Sequence, residues 1–301
     1  MATQTFVERG SARKAVACHV CASENHVIYL RARGYCIARC RECGLWYVNP
    51  QPTAEELREF YAQYDDGEQW RSGEEHFNRG VRRAIMRVKR SGAVLDIGCG
   101  SGNFLRCMRE AGFSVSGIEP SGTGSEYARE EHGVEIHHGM IEDYLATHAD
   151  QLFDVITMLN VLEHLLDPAQ ILLQLRKALV PNGVIAIVVP DARFHDFLGR
   201  LRRGTGFADP YWLDRPTSFL SGFKLPDHLC SFQPSTITSL LQKCGFRVVA
   251  LQNAPVVFNA RFGRDFSKLL LRWASQVFYY LTFRRLLVGY STLLLARKES
   301  D

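Results

Sequence analysis

The chain has 301 residues, about twice a typical domain length, which points to one large α/β domain carrying an appended module. With 46% hydrophobic and 23% charged residues and a formal net charge of +4, its composition excludes collagen-like and disordered chains and suffices for a sizeable core. No apolar run follows the charges of residues 1–14, and no stretch reaches about eighteen uninterrupted apolar residues, so neither a leader peptide nor a membrane-spanning helix is expected. The expected setting is the reducing cytoplasm, where the nine cysteines serve as metal ligands or buried thiols rather than as a disulfide framework.

Charge is uneven along the chain. Residues 93–191 hold 5 Lys and Arg against 14 Asp and Glu, whereas residues 1–92 hold 15 against 11 and residues 192–301 hold 16 against 7. An acidic centre suits a cationic or zwitterionic cofactor. The basic flanks are left to an anionic substrate, a membrane surface or nucleic acid, or are simply solvated helix faces.

Residues 15–50 carry four cysteines in two pairs among short alternating stretches, and Asn49-Pro50-Gln51-Pro52 closes a small module assigned to residues 1–52. Thr53 with Glu56 three residues on reads as a capping box that opens a helix. Residues 76–90 place Phe77, Val81, Ile85 and Val88 on one helical face, with arginines elsewhere, so residues 53–92 are expected to form a helical linker or lid.

From residue 93 strand and helix patterns alternate, the signature of a parallel sheet with crossover helices. Strands are expected at 93–97, 114–118, 134–138, 153–159, 183–189, 246–252 and 290–298, and helices at 103–111, 124–132, 141–149, 168–179 and 233–245. Val180-Pro181-Asn182-Gly183 reads as a stop before the fifth strand. Residues 192–230 and 255–288 break the alternation and read as insertions into a domain spanning 93–301. The first offers His195, Tyr211 and Trp212 as lid residues. The second, with Lys268, Arg272, Arg284 and Arg285 among leucines and aromatics, fits an amphipathic helix that touches lipid, lines a partner surface or packs on its own domain.

The most informative segment runs from Val94 to Phe104. Gly98, Gly100 and Gly102 directly after a strand let a ligand lie against bare backbone under a helix N-terminus. The register is not that of a dinucleotide fingerprint, since Asn103 takes the third glycine's place and Gly102 comes one residue early. Asp96 beside the turn would repel a pyrophosphate but could pair with an α-amino group or favour a sulfonium. Glu119, ending the second strand, can accept both hydroxyls of a ribose. Adenosine joined to an amino acid without phosphate describes S-adenosylmethionine.

On these residues the chain resembles the class I S-adenosylmethionine-dependent methyltransferases. Val94–Phe104 is similar to their first motif, Gly117-Ile118-Glu119-Pro120-Ser121 to the second, and the stretch from Phe153 to Pro168 to the fourth-strand motif of the ubiquinone-type small-molecule branch. The resemblance implies a Rossmann-like fold with a mostly parallel seven-stranded sheet. It also implies that Gly98, Gly100 and Gly102 hold the methionine part, that Glu119 holds the ribose, and that Met140, Ile141 and Glu142 line the adenine. Met140 departs from the acid many relatives carry there, which shifts the adenine contact toward backbone and Glu142.

Cys18-x-x-Cys21 and Cys40-x-x-Cys43 have the spacing of a four-cysteine zinc site, and a closed sulfur shell implies a structural ion. Cys36 is a nearby spare. The stretch from Cys40 to Leu57 is similar to the zinc-ribbon leader of one group of these methyltransferases, a group found with glycan or natural-product pathways.

Methyl transfer from a sulfonium is an in-line displacement, so positioning supplies most of the rate, and a base helps when the acceptor is a hydroxyl. Asn160, Glu163 and His164 are spaced to share one face of a short helix beside the cofactor. Similar ubiquinone-type enzymes use an E-x-x-E-H pattern to hold magnesium, and Asn160 here replaces its first carboxylate. His164 is therefore either a base or half of a structural pair with Glu163. His228, where the first insertion rejoins the scaffold, is either a base or a helix cap.

Together these features describe a methyltransferase acting on a small-molecule, glycan or lipid-linked acceptor, most simply at a hydroxyl, with peripheral membrane contact open. An RNA methyltransferase using the ribbon and basic flanks is a less favoured alternative, because the residues after the fourth strand, Leu159-Asn160-Val161-Leu162, lack the Asn-Pro-Pro-aromatic pattern of base amino methylation. A non-catalytic regulatory protein that binds S-adenosylmethionine is the third reading.

Overall fold

The computed structural model describes residues 13–32, 35–63, 75–193, 227–255 and 291–299. The lid residues His195, Tyr211 and Trp212 and the 262–288 segment lie outside them. Among the described residues no helix is long and apolar enough to cross a membrane.

The large sheet contains β4 (Ala93–Ile97), β5 (Ser114–Glu119), β6 (Glu135–His138), β7 (Phe153–Leu159), β8 (Leu179–Pro190), β10 (Phe246–Asn253) and β11 (Ser291–Lys298). Its strand order is β10-β11-β8-β7-β4-β5-β6, with β11 antiparallel to both neighbours and β4 to β8 paired in parallel. The chain order reverses at β4, so the crevice beyond its carboxyl end is where such sheets bind ligands. Side chains alternate across the sheet with period two. Leu95, Ile97, Ile156, Met158, Ile185 and Ile187 point to one face, and Val94, Val155, Ala186 and Val188 to the other.

The first face is covered by α5 (Ile141–Thr147), α6 (Pro168–Lys177) and α7 (Pro234–Lys243), through Tyr144, Ile171, Leu172, Leu175, Ile237 and Leu240. The second is covered by α2 (Glu75–Met86) and α3 (Asn103–Arg109), through Phe77, Val81, Ile85, Phe104 and Met108. Helix α4 (Gly122–His132) sends Ala128 into a smaller cluster with Leu105 and Ile136. The expected helix over 76–90 ends at Met86. The expected stop at 180–183 is instead a bulge inside β8. Asn182 adopts φ +60° there, and the pairing with β7 jumps from Phe153↔Leu179 to Val155↔Val184.

The N-terminal module is a separate antiparallel sheet of β1 (His26–Ala32), β2 (Tyr35–Cys40) and β3 (Trp46–Val48), followed by α1 (Ala54–Ala62). Thr53 caps α1 with the expected box: Glu56 N–H donates to Thr53 Oγ1 at 3.1 Å and Thr53 N–H to Glu56 Oε2 at 2.8 Å. The fourth strand of this sheet comes from far along the chain. The two-residue β9 (Cys230–Ser231) pairs with Trp46 and Tyr47. The boundary between module and large domain is thus crossed by sheet hydrogen bonding, and Cys18, Val20 and Tyr47 join the apolar cluster under α6 and α7.

Gly102 is the N-cap of α3 with φ +72°, and a β-carbon on it would stand 2.8 Å from Ala128 Cβ. Gly102→Ala therefore combines left-handed strain with overpacking and should cost about 2–4 kcal/mol of stability, read as a lower denaturant midpoint at unchanged slope.

Candidate cofactor and acceptor site

Two clusters line the carboxyl edge of the sheet. The first is the turn after β4, where Gly98, Gly100 and Gly102 all take positive φ, at +65°, +51° and +72°. Gly98 and Cys99 N–H groups donate to Ile118 O at 2.8 and 3.1 Å, so the loop lies over the end of β5. Glu119 is buried beneath it. Its Oε2 accepts Gly100 N–H and its Oε1 accepts Ser121 N–H, each at 2.8 Å. The carboxylate thereby ties the turn after β4 to Ser121, the residue that follows β5 and caps α4. Asp96 is buried on β4 and accepts a hydrogen bond from Thr157 Oγ1 on β7.

Met140 is the N-cap of α5, half-buried and without a side-chain cap bond; Ile141 sits in the core and Glu142 is exposed in the first turn. All three stand just past the end of β6.

The second cluster begins where β7 ends. The sequence reading puts Asn160, Glu163 and His164 on one helical face, and the structure corrects it. Only Leu162–His164 form a short 3-10 turn, while Asn160 is exposed with φ +59° and lies before it. Asparagine tolerates the left-handed region, so it turns the chain here instead of extending the helix. Val161 follows, and it packs so closely on the glycine turn that a β-carbon on Gly98 would stand 2.6 Å from its Cγ2. The two clusters are thereby adjacent.

Glu163 is 1% exposed, and among the described residues neither carboxylate oxygen has a hydrogen-bond partner. Burial pushes its pKa up to about 8, and the nearby Asp227 adds to the effect. His164 and His228 meet ring to ring, with centroids 4.6 Å apart. Asp227 Oδ2 lies 3.9 Å from His164 Nδ1, and Tyr61 Oη lies 3.0 Å from the same nitrogen. Glu163, His164 and His228 each offer a ligand atom within 4.8 Å of the others. Asn160 stands in the sequence where the pattern implied by the resemblance has its first carboxylate, and Glu163, His164 and His228 converge.

Sequence reasoning missed Tyr61, Asp227 and Val161. Tyr61 comes from α1, 103 residues before the histidine it touches, and no local pattern marks it. The backbone explains the meeting. Leu229 N–H donates to Glu163 O at 2.7 Å, and Val48 N–H donates to Leu229 O at 2.8 Å. Gln51 Nε2 adds a bond to Leu166 O at 3.2 Å.

The cysteine pairs converge. Cys18 and Cys43 sulfurs lie 3.4 Å apart, Cys21 and Cys40 sulfurs 3.5 Å, and all four fall within 4.8 Å of one another. A tetrahedral zinc with Zn–S bonds of about 2.3 Å wants sulfurs about 3.8 Å apart, close to these separations. Each turn ends in a left-handed residue, Ala22 at φ +59° and Gly44 at φ +80°. Burial raises the Cys40 pKa, but backbone N–H groups of Cys43 and Glu42, together with hydrogen bonds from the Cys21 and Cys43 thiols, bring it down to about 7. Cys36 stays outside this group, accepting from Arg31 Nη1 at 2.9 Å.

Residues 70–251 match the sequence profile of a family described as methyltransferase domain. Ubiquinone biosynthesis O-methyltransferases of Actinobacillus pleuropneumoniae and Aromatoleum aromaticum are 41% and 36% identical over 101 and 122 residues, covering 31% and 39% of this chain. The chain spans 43% and 50% of those two relatives. Among solved structures, an S-adenosylmethionine-dependent methyltransferase from Archaeoglobus fulgidus aligns over 82% of this chain and all of its own, with TM-score 0.50 and 21% identity. The 1,6-didemethyltoxoflavin-N1-methyltransferase of Burkholderia thailandensis, with S-adenosylhomocysteine bound, aligns over 92% and 100%, with TM-score 0.51 and 16% identity. At these identities the structural likeness establishes the seven-stranded fold.

A buried carboxyl without a partner costs free energy that an apolar side chain of similar size does not. In buffer free of divalent ions, Glu163→Met should raise stability by about 1–3 kcal/mol in denaturant unfolding. A lowered midpoint would show that the carboxyl holds something already present in the folded chain.

Proposed function

The chain belongs to the methyltransferase-domain family, and from that premise we propose that it transfers a methyl group from S-adenosylmethionine to a hydroxyl of a small-molecule, sugar or lipid-linked acceptor, with a structural zinc in the four-cysteine module. The observation that carries this reading is the adjacency of the Glu119-clamped glycine turn and the Glu163–His164–His228 cluster, joined by Val161 against Gly98.

The division of labour follows from the geometry. Glu119 accepts from the ribose, and the bare backbone of Gly98–Gly102 lets the methionine portion approach α3. The acceptor oxygen attacks the methyl carbon in line as the carbon–sulfur bond breaks. The bonding pair returns to sulfur, which becomes a neutral thioether. The hydroxyl proton leaves toward the histidine cluster, where Tyr61 holds the His164 ring. The ubiquinone O-methyltransferase relatives support an oxygen acceptor of small-molecule type. The zinc reading rests on the four converging sulfurs and their mirrored left-handed turns.

Two measurements test the assignment. Glu119→Ala should weaken S-adenosylhomocysteine binding about 10- to 100-fold in calorimetry, the loss expected for hydrogen bonds to a charged group. With labelled S-adenosylmethionine and small-molecule and lipid extracts of the source cells, His164→Ala and His228→Ala should each slow methyl incorporation about 100-fold or more at unchanged S-adenosylhomocysteine affinity. Undiminished turnover in both variants, or label entering RNA instead, would overturn the proposal.

A further inference from the structure

We propose that helix α1 is a clasp across the cofactor crevice and that the Arg58–Asp143 ion pair is its releasable end, setting how fast S-adenosylmethionine enters and S-adenosylhomocysteine leaves. The inference rests on the methyltransferase reading for the identity of the ligand, not for the clasp itself.

The placement follows from the sheet order. Asp143 stands in the first turn of α5, just past the end of β6, and His164 ends the 3-10 turn just past the end of β7. Between β7 and β6 the sheet places β4 and β5, whose carboxyl ends carry the glycine turn and Glu119. Helix α1 holds both outer elements. Arg58 Nη1 and Nη2 donate to Asp143 Oδ2 and Oδ1 at 2.8 and 3.0 Å, and Tyr61 Oη lies 3.0 Å from His164 Nδ1. Arg58 and Tyr61 are neighbours one turn apart on α1, while three strand spacings of about 4.8 Å separate β7 from β6. Two long side chains of one helix thus reach the two sides of the interval in which the cofactor is to lie.

The attachments of α1 differ in strength. The chain entering it is tied down, since Gln51 Nε2 donates to Leu166 O at 3.2 Å and lies 2.8 Å from His19 Nε2, and the Thr53–Glu56 box closes the first turn. The Tyr61 contact is partly buried, with the His164 side chain 19% exposed. Arg58 and Asp143 are instead 46% and 50% exposed. A pair so exposed adds little to the stability of a fold and is screened by salt, yet its two parallel bonds fix its direction. The Arg58 guanidinium also holds the Asp143 carboxyl below its usual range, which keeps the pair charged at neutral pH.

These are the properties of a contact that opens and re-forms at small cost, not of one that holds a domain together. Asp143 directly follows Met140, Ile141 and Glu142, so a closed pair keeps α1 against the turn to which the adenine is assigned. Opening it frees that side of the crevice while Gln51 and Tyr61 keep α1 in register. Helix α1 precedes residues 70–251, the span of the family profile, so Arg58 is contributed by this chain's own leading segment and Asp143 by the shared domain.

The test measures association and release of S-adenosylhomocysteine on the immobilised full chain by surface plasmon resonance. Arg58→Ala and Asp143→Ala should each speed release about two- to five-fold, the range open to an exposed pair, with a wild-type thermal transition. Raising salt from about 0.05 to about 0.5 M should speed release from the wild type by a similar factor and leave both variants nearly unmoved. The exchanged double variant, Arg58→Asp with Asp143→Arg, should restore slow release, which a merely structural role of either residue would not. Hydrogen exchange of residues 54–62 gives a readout without ligand and should quicken in Arg58→Ala. Unchanged release in both single variants, or a double variant no slower than the singles, would overturn the proposal. Failure of the methyltransferase reading shows differently, as no S-adenosylhomocysteine binding by the wild type while exchange in α1 still responds to the pair.

Discussion

Leu229 is the residue on which the rest of the site depends. Its N–H is spent on Glu163 O and its carbonyl on Val48 N–H, so one residue joins the turn after β7, the strap carrying Asp227 and His228, and the edge of the cysteine module. Each bond alone is worth about 1 kcal/mol, but leaving either group unmade in a buried position would cost more. Leu229 is fully buried. The two bonds together fix the spacing of histidines that come from elements far apart in the chain.

The cofactor edge obeys a different constraint, set by backbone conformation rather than by long-range pairing. Three glycines take positive φ, and Glu119 holds the turn with both oxygens, one on Gly100 N–H and the other on Ser121 N–H. A side chain at any of the three would be strained.

This difference explains what the sequence could reveal. Much of the fold was legible because its signals are local: Val- and Ile-rich runs in β4, β7 and β8 alternating with helix patterns, the Thr53–Glu56 capping box, the glycine turn, and the two cysteine pairs. The acceptor side was legible only in part. His164 and His228 stood out as residue types, but spacing alone put Asn160 on a helix that its left-handed backbone ends. The two-residue β9 carries too little pattern to announce a partner in β3, and the contact of Tyr61 with His164 is a product of that pairing. The bulge at Asn182 imitates a terminator, since the same residues that stop a helix also buckle a strand.

The family profile begins at residue 70, so Val48, Gln51 and Tyr61, which brace the histidine cluster, lie outside it. The residues that clamp the glycine turn, Gly100, Glu119 and Ser121, lie inside it. The profile thus spans the glycine turn and the histidines alike, while Val48 and Tyr61, from before it, reach into the histidine cluster. An addition that served only stability could dock anywhere on the domain. This one spends its edge strand on the strap that carries His228, and α1, which follows it, places the Tyr61 hydroxyl on His164.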